Sequence, residues 1–333
     1  MNAPNLFSLA TKELSQDAFL AWLLQWGDPA HASVDPYLHE LAVRFIRRLA
    51  GKDEDYQVHS VQAGRQWKNI DVWAFVNDEL CLVIEDKKGT KEHSNQLTRY
   101  REFAAKEKPK MELSCIYVKF EEQSDLSAVR AANYSVFDRE LMIALLDKYL
   151  ANTPQAKQNN IIRDFFDYLT GLHNAINSYQ VLPLDQWGWY AWQGFFSTIQ
   201  KELGTGRWGY VANPAGGFQG YWWHTRRFEG VDFSFNCYLQ LEQDQLIFKQ
   251  KVDSSDSDGR RVARNFYRKC LKRAASNTDI SIEKYGRLGK HMGVARLTDG
   301  YRIVKDDGLL DLPATVAKLR GMMSLLDSVE FSP

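Results

Sequence analysis

Between Asp71 and Tyr100 the chain places an acid, Asp71, then the tripeptide Glu85-Asp86-Lys87, then Gln96 and Tyr100. Two carboxylates and a lysine on neighbouring strands form a donor set able to hydrolyse a phosphodiester with help from a divalent cation. Magnesium takes oxygen ligands in an octahedron at roughly 2.0–2.1 Å, accepts one or two protein carboxylates and keeps several waters. Asp71 and Glu85 meet that demand, with manganese as the alternative ion. An ion held there would polarise the phosphate, activate a water and offset charge on the leaving oxygen. Lys87, two residues after Glu85, leaves the strand on the same side, where its ammonium can orient the attacking water or neutralise the phosphate. A nearby cation and partial burial would lower its pKa and favour proton handling.

This chemistry needs both acids on one face of a sheet, and a one-residue slip would separate them. With a two-residue turn, Asn77-Asp78, Asp71 opposes Ile84 and Glu85 points away. With a three-residue loop, Asn77-Asp78-Glu79, Val76 opposes Leu80, Ala74 opposes Leu82, Val72 opposes Ile84, and Asp71 opposes Glu85. The second register leaves Ile70, Val72, Ala74, Val76, Leu80, Leu82 and Ile84 as one apolar face for helices to cover, and Asp71, Glu85 and Lys87 on the other. Hydrophobic segregation therefore selects the register the chemistry requires. A bulge beside Asp71 is the other route.

Helices must complete the arrangement. Ser8 or Thr11 can cap a helix running to about Trp26 that is apolar around most of its circumference and so largely buried. Glu13 and Asp17 lie one turn apart near its start. Glu13 is the candidate to complete the acidic cluster, whereas Gln16 and Asp17 read as solvated or capping groups. A second helix spans about 36–50, with Arg44, Arg47 and Arg48 outside and Gly51 as its stop. Strands follow at about 56–63, 66–76 and 80–87, then a helix at about 92–106 and strands at 113–120 and 134–137. On the 92–106 helix Gln96 and Tyr100 share a face and can reach Lys87 or a phosphate backbone, while Arg99, with Arg101, Lys88 and Lys91, supplies local basic surface. The order implies an α/β core with a mixed sheet.

Asp71, Glu85-Asp86-Lys87, the upstream helical Glu13 and the Gln96-x-x-x-Tyr100 helix resemble the PD-(D/E)XK nuclease superfamily, in the Q-x-x-x-Y branch that includes lambda exonuclease relatives. The resemblance covers roughly residues 8–120 and implies a restriction-endonuclease-like fold. It further implies metal ligation by Asp71, Glu85 and the backbone carbonyl of Asp86, with Lys87 assisting hydrolysis. Gln96, Tyr100 and Arg99 are then candidate substrate contacts. Ile70 stands where the family pattern has proline. The resemblance implies magnesium-dependent cleavage of nucleic acid, DNA before RNA, with prokaryotic defence as an analogy only. An RNase using the same centre, and a nuclease fold that binds without cutting, are the alternatives.

The remaining sequence bounds this reading. Lys plus Arg and Asp plus Glu are equal at 42 each, so no whole-molecule field draws the protein to polyanions. Cys81, Cys115, Cys237 and Cys270 lack metal-ligand spacing. The amino-terminal residues do not read as a secretion signal and no apolar run is long enough to span a bilayer, which points to a cytoplasmic protein without membrane association. Within 333 residues we expect a nuclease-like domain at 1–152, a linking helix at 153–180, and a carboxy-terminal α+β domain with an antiparallel sheet at 181–333. That last domain would serve substrate binding, oligomerisation or regulation, and homo-oligomer formation stays open. Its expected elements are helices at about 186–203, 261–275 and 313–326, strands at 207–212, 219–228, 231–241, 244–252 and 291–304, and a polar loop DSSDSDGRR. YWWHTRRF interleaves aromatics with Arg226 and Arg227, as base stacking with phosphate contact would require. The plainer reading is a strand with one buried and one solvated face.

Overall fold

Apolar alternation in IDVWAFV and LCLVIED builds the central hairpin of a mixed sheet. The computed structural model describes residues 4–10, 12–93, 95–212, 216–253 and 256–331. It divides the chain into two compact units, one up to Asn174 and one from Ala175. In the first unit helices α1 (Leu6–Leu9), α2 (Glu13–Gln25), α3 (Pro36–Ala50), α4 (Gln96–Glu107), α5 (Ser127–Ala131), α6 (Arg139–Asn152) and α7 (Asn160–Asn177) accompany strands β1 (Val61–Trp67), β2 (Ile70–Val76), β3 (Leu80–Asp86), β4 (Glu112–Lys119) and β5 (Ser135–Asp138). Among the described residues these strands form one sheet in the order β1-β2-β3-β4-β5. The first two pairings are antiparallel and the last two parallel, the β3 to β4 crossover being made by α4.

The hairpin has the three-residue register. Val76 pairs with Leu80, Ala74 with Leu82 and Val72 with Ile84. Asn77 and Asp78 take left-handed backbone angles (φ 57° and 58°), which these short polar residues tolerate. Asn77 is tied down by accepting from the amides of His59 (2.7 Å) and Ser60 (3.2 Å). That engagement explains why the strand expected from residue 56 begins only at Val61. It ends at Trp67, where Lys68 and Asn69 (φ 53° and 73°) turn the chain into β2.

Other boundaries move for equally local reasons. Ser8 does not cap α2. It lies inside α1, whose amides at Phe7 and Ser8 are accepted by Asn5, and Thr11 lies outside the described residues. Left-handed Asn95 delays α4 to Gln96. α3 spans the residues expected, capped by Asp35 and stopped by Gly51 at φ 64°.

The sheet is covered on both sides, so β3 is buried along its whole length. α2 packs against β1 and β2. The opposite face is not left to charged groups alone. Trp73, Phe75, Cys81, Val83 and Tyr117 bury themselves there against Leu97, Tyr100, Phe103 and Ala104 of α4. Asp71 and Glu85 thus stand at the end of an apolar wall.

The second unit builds a sheet in the order β10-β11-β9-β8-β7-β6, antiparallel between all neighbours. Its strands are β6 (Arg207–Val211), β7 (Phe218–Glu229), β8 (Ser234–Glu242), β9 (Gln245–Val252), β10 (Ile282–Lys284) and β11 (His291–Leu297), with helices α8 (Trp189–Leu203), α9 (Ser257–Ala275) and α10 (Leu312–Asp327). The expected turn at Gln243-Asp244 joins β8 to β9. The loop DSSDSDGRR is shorter than expected because Asp256 caps α9 by accepting from Gly259, and Ser254 and Ser255 lie outside the described residues. Arg226 donates to the carbonyls of Asp327 (3.0 Å) and Val329 (3.2 Å), and Arg227 pairs with Asp253 at 2.6 Å. Both guanidiniums hold the unit together, which favours the plainer reading of YWWHTRRF.

Candidate active site

The pairing of Val72 with Ile84 places Asp71 beside Glu85, and the strand's alternation sends Glu85 and Lys87 to the same side. Four oxygens converge on the Lys87 ammonium: Glu85 Oε1, Asp71 Oδ2 at 3.5 Å, Glu13 Oε1 at 3.3 Å and the carbonyl of Asp86 at 3.0 Å. Backbone amides fix two of the donors. Asp71 Oδ2 accepts from the Asp86 amide (3.1 Å), and Glu13 Oε2 from the Lys88 amide (3.1 Å). From α4, Gln96 Nε2 donates to Glu85 Oε1 (2.6 Å) and to the Tyr100 hydroxyl (3.2 Å). Glu13, Asp71, Glu85, the Asp86 carbonyl, Lys87, Gln96 and Tyr100 are therefore one connected cluster. Arg99 is not brought into it and lies exposed on α4.

Burial shapes the electrostatics. Glu85 is fully buried, and desolvation together with the neighbouring Asp71 charge pushes its carboxyl to about 8. Asp71 is raised by burial, although Lys87 and the Asp86 amide pull against that rise. Lys87 behaves differently from expectation. Burial would lower its ammonium, but Glu85, Asp71 and Glu13 outweigh that and hold it above the ordinary lysine range. In this arrangement the Lys87 ammonium is held charged among the carboxylates.

The donor set suits a hard divalent cation. Among the described residues no group of three or more His, Cys, Asp and Glu side chains forms a ready-made metal cluster. Magnesium does not require one, since one or two carboxylates and waters suffice. Here the Lys87 ammonium stands in as the cation at the point where Asp71, Glu85 and the Asp86 carbonyl meet. Glu85 Oε2 is buried and has no hydrogen-bond partner among the described residues, a costly condition for a carboxylate that an added cation would relieve.

Three residues escape the sequence reading. Gln16 and Asp17 are buried at 5% and 1% exposure rather than solvated, and Gln16 donates to Asp86 Oδ1 on the opposite face of β3 from Glu85. Asp17 lies against Asp86, and burial followed by the Asp71 charge pushes its carboxyl to about 7. Lys119, at the end of β4, donates to the carbonyls of Lys88 and of Thr90 (2.7 Å), bracing the loop that follows the tripeptide, and burial lowers its ammonium to about 8. An apolar-all-round helix gives no sign of where its polar residues point, so α2 concealed the first two. A lysine ending an apolar strand is the signal that would have marked Lys119.

No curated protein and no solved structure matches the chain. A family model does. The description of that family is the PD-(D/E)XK nuclease superfamily, and the match runs over residues 4–170, half the chain, from α1 into α7, and includes every residue of the cluster. The chain belongs to the PD-(D/E)XK nuclease superfamily.

Proposed function

We propose that the protein is a magnesium-dependent nuclease that hydrolyses phosphodiester bonds of nucleic acid, DNA in preference to RNA. The observation that carries this reading is the convergence of Glu13, Asp71, Glu85 and the Asp86 carbonyl on one cationic point occupied by Lys87 Nζ. Asp71, Glu85 and the Asp86 carbonyl would hold magnesium, or manganese in its place. The ion supplies charge stabilisation at the phosphate and a water of lowered pKa. Lys87, kept charged by its neighbours, neutralises the scissile phosphate. Glu13 orients the Lys87 ammonium and is placed to accept a proton from a water on that side. Gln96 holds the Glu85 carboxylate and is itself steadied by Tyr100, the two line the approach for the strand, and exposed Arg99 on α4 adds a phosphate contact.

The preference for DNA rests on the likeness of the Gln96-x-x-x-Tyr100 helix to the lambda exonuclease branch. Residues 1–152 form the catalytic domain in this reading. The helix within 153–180 links it to residues 181–333, which serve substrate binding, oligomerisation or regulation. Among the described residues no helix is long and apolar enough to cross a membrane.

The test is incubation with plasmid, linear duplex, single-stranded DNA and RNA, each with magnesium, manganese or EDTA. Asp71→Ala and Lys87→Ala should lose at least about a hundredfold in rate. Cleavage by the wild type that EDTA and both substitutions leave untouched sinks the assignment, and cleavage confined to RNA reassigns the polymer.

A further inference from the structure

The Asp86 peptide lies at the centre of the cluster, its amide bonded to Asp71 and its carbonyl facing Lys87. Its side chain points to the other side of β3, fully buried beneath α2. There Gln16 Nε2 donates to Asp86 Oδ1, and the Asp17 carboxyl lies against the same group. Glu13, Gln16 and Asp17 are spaced i, i+3 and i+4 and so share one helical face. One turn of α2 thereby reaches both sides of a single strand, Glu13 at the proposed metal centre and Gln16 with Asp17 behind it.

Three polar side chains buried between a helix and a sheet are not the arrangement that maximises stability, because apolar replacements of similar volume usually serve at least as well. Asp17 and Asp86 have chiefly each other, two carboxyls close enough to share a proton. Among the described residues no N–H or O–H of another group reaches either Asp17 oxygen or Asp86 Oδ2, and Arg65 approaches Asp17 only to 4.0 Å. What the arrangement does provide is direction. The peptide that carries the Asp86 carbonyl is held in the sheet by the Lys87 amide, which donates to Val118 (3.1 Å), and the one that carries its amide by Asp71. A side chain held from behind adds a restraint at the Asp86 Cα between them, so that both groups keep their aim.

We infer that Gln16 is a positioning residue of the active centre, anchoring Asp86 from behind β3 so that the Asp86 backbone carbonyl stays aimed as a metal ligand. The Asp86 side chain ligates nothing itself and serves as the handle. Asp17 fills the space beside that handle and limits its rotation. This inference rests on the nuclease reading for the identity of the ion, but the anchoring itself does not.

The experiment compares full-length wild type with Gln16→Ala, Asp86→Asn and Asp86→Ala. Asp86→Asn keeps an oxygen for Gln16 and offers an amide to Asp17. The readouts are hydrogen exchange over residues 84–88 without metal or substrate, Mn²⁺ affinity by paramagnetic resonance titration, and kcat and KM for cleavage. Gln16→Ala and Asp86→Ala should exchange about tenfold faster in that segment while the β8–β9 hairpin is unchanged. Mn²⁺ affinity and kcat should fall about tenfold with KM little altered, the range expected when a residue supporting a metal ligand is removed. Asp86→Asn should remain within about threefold of wild type. Unchanged exchange at 84–88 in a folded Gln16→Ala variant overturns the anchoring, as does Asp86→Asn proving as damaging as Asp86→Ala. A wild type that neither binds Mn²⁺ nor cleaves would remove the nuclease reading, while the exchange measurement would still decide the anchor.

Discussion

The two sheets handle buried polarity in opposite ways. In the carboxy-terminal unit the described buried polar side chains are Gln193, Gln219, Gln240, Gln250, Arg264 and Thr315, with no carboxylate among them. Arg264, the one charged member, donates to the carbonyls of Tyr285 (2.6 Å) and Gly286 (2.5 Å). Gln250 donates to Ala263 (3.1 Å). In the amino-terminal unit Glu85 lies buried beside Asp71 and Lys87 on one face of the sheet, and Asp17 and Asp86 lie buried together on the other, with Lys119 also buried. Arg264 and Gln250 close off backbone acceptors, Thr315 accepts from the Ile303 amide (2.9 Å), and Gln240 donates to Glu242 (2.7 Å). Like charges crowded into a desolvated space destabilise the fold, and their persistence marks where function has been favoured over stability.

The largest expected effect tests that contrast directly. Glu85→Gln keeps the volume and the bond to Gln96 but removes a charge that burial and Asp71 disfavour. Cleavage should fall at least about a thousandfold, roughly 4 kcal/mol of transition-state stabilisation. Stability of the first unit at pH 8 should rise by about 1 kcal/mol, as relief of a functional strain would give. Thermal melts and single-turnover rates on one preparation check both. A substitution that lowers stability as well as rate would show Glu85 to be structural, and the distinction between the sheets would then lose its functional meaning.

A second test uses pH. Asp17 and Glu85 are raised to about 7 and about 8 in the folded chain, from ordinary values of 3.8 and 4.5. Between those limits the folded state binds more protons than the unfolded one, so stability falls as pH rises. Below about pH 3 both states are protonated at these groups and they contribute no slope. From about pH 5 to pH 8 the first unit should lose about 2 kcal/mol, discounted for the coupling within the cluster. Magnesium held at Asp71 and Glu85 would displace the Glu85 proton and should flatten that part of the curve. Melting in EDTA and in magnesium across that range measures both slopes. A first-unit stability that holds level or climbs with pH in EDTA would contradict the buried cluster.

How much of this was legible beforehand follows from the same contrast. The register of the central hairpin was readable because Val72, Ala74, Leu82 and Ile84 segregate by face, and packing enforces what the alternation encodes. Glu13, Asp71, Glu85 and Lys87 could be singled out because charges on apolar elements stand out. Gln16 and Asp17 could not, since α2 is apolar on nearly every side and periodicity then carries no direction. Asp86 was legible only as a carbonyl, because covering β3 on both faces is a tertiary event. The extent of β1 was hidden for a related reason: Asn77 captures the amides of residues 59 and 60, which local alternation alone assigns to the strand.

The smallest expected effect concerns the contact between the catalytic wall and α4. Tyr100 and Gln96 are joined by a neutral hydrogen bond of 3.2 Å, and Gln96 alone touches Glu85. Such a neutral bond contributes about 1 kcal/mol, so Tyr100→Phe should slow cleavage by about fivefold. Gln96→Ala leaves Glu85 less well held and should cost about tenfold. Gln250→Leu in the other sheet, which also removes a single side-chain bond, to Ala263, should cost at most about 1 kcal/mol of stability and leave the rate per folded molecule unchanged. Rates normalised to folded protein separate these outcomes. Were Gln250→Leu to slow cleavage as much as Tyr100→Phe, polar burial in the second sheet would have to be coupled to catalysis. If only the α4 variants respond, the dependence of rate on hydrogen bonding is confined to groups within one residue of Glu85, which is the reach expected of a site built to hold a single carboxylate in place.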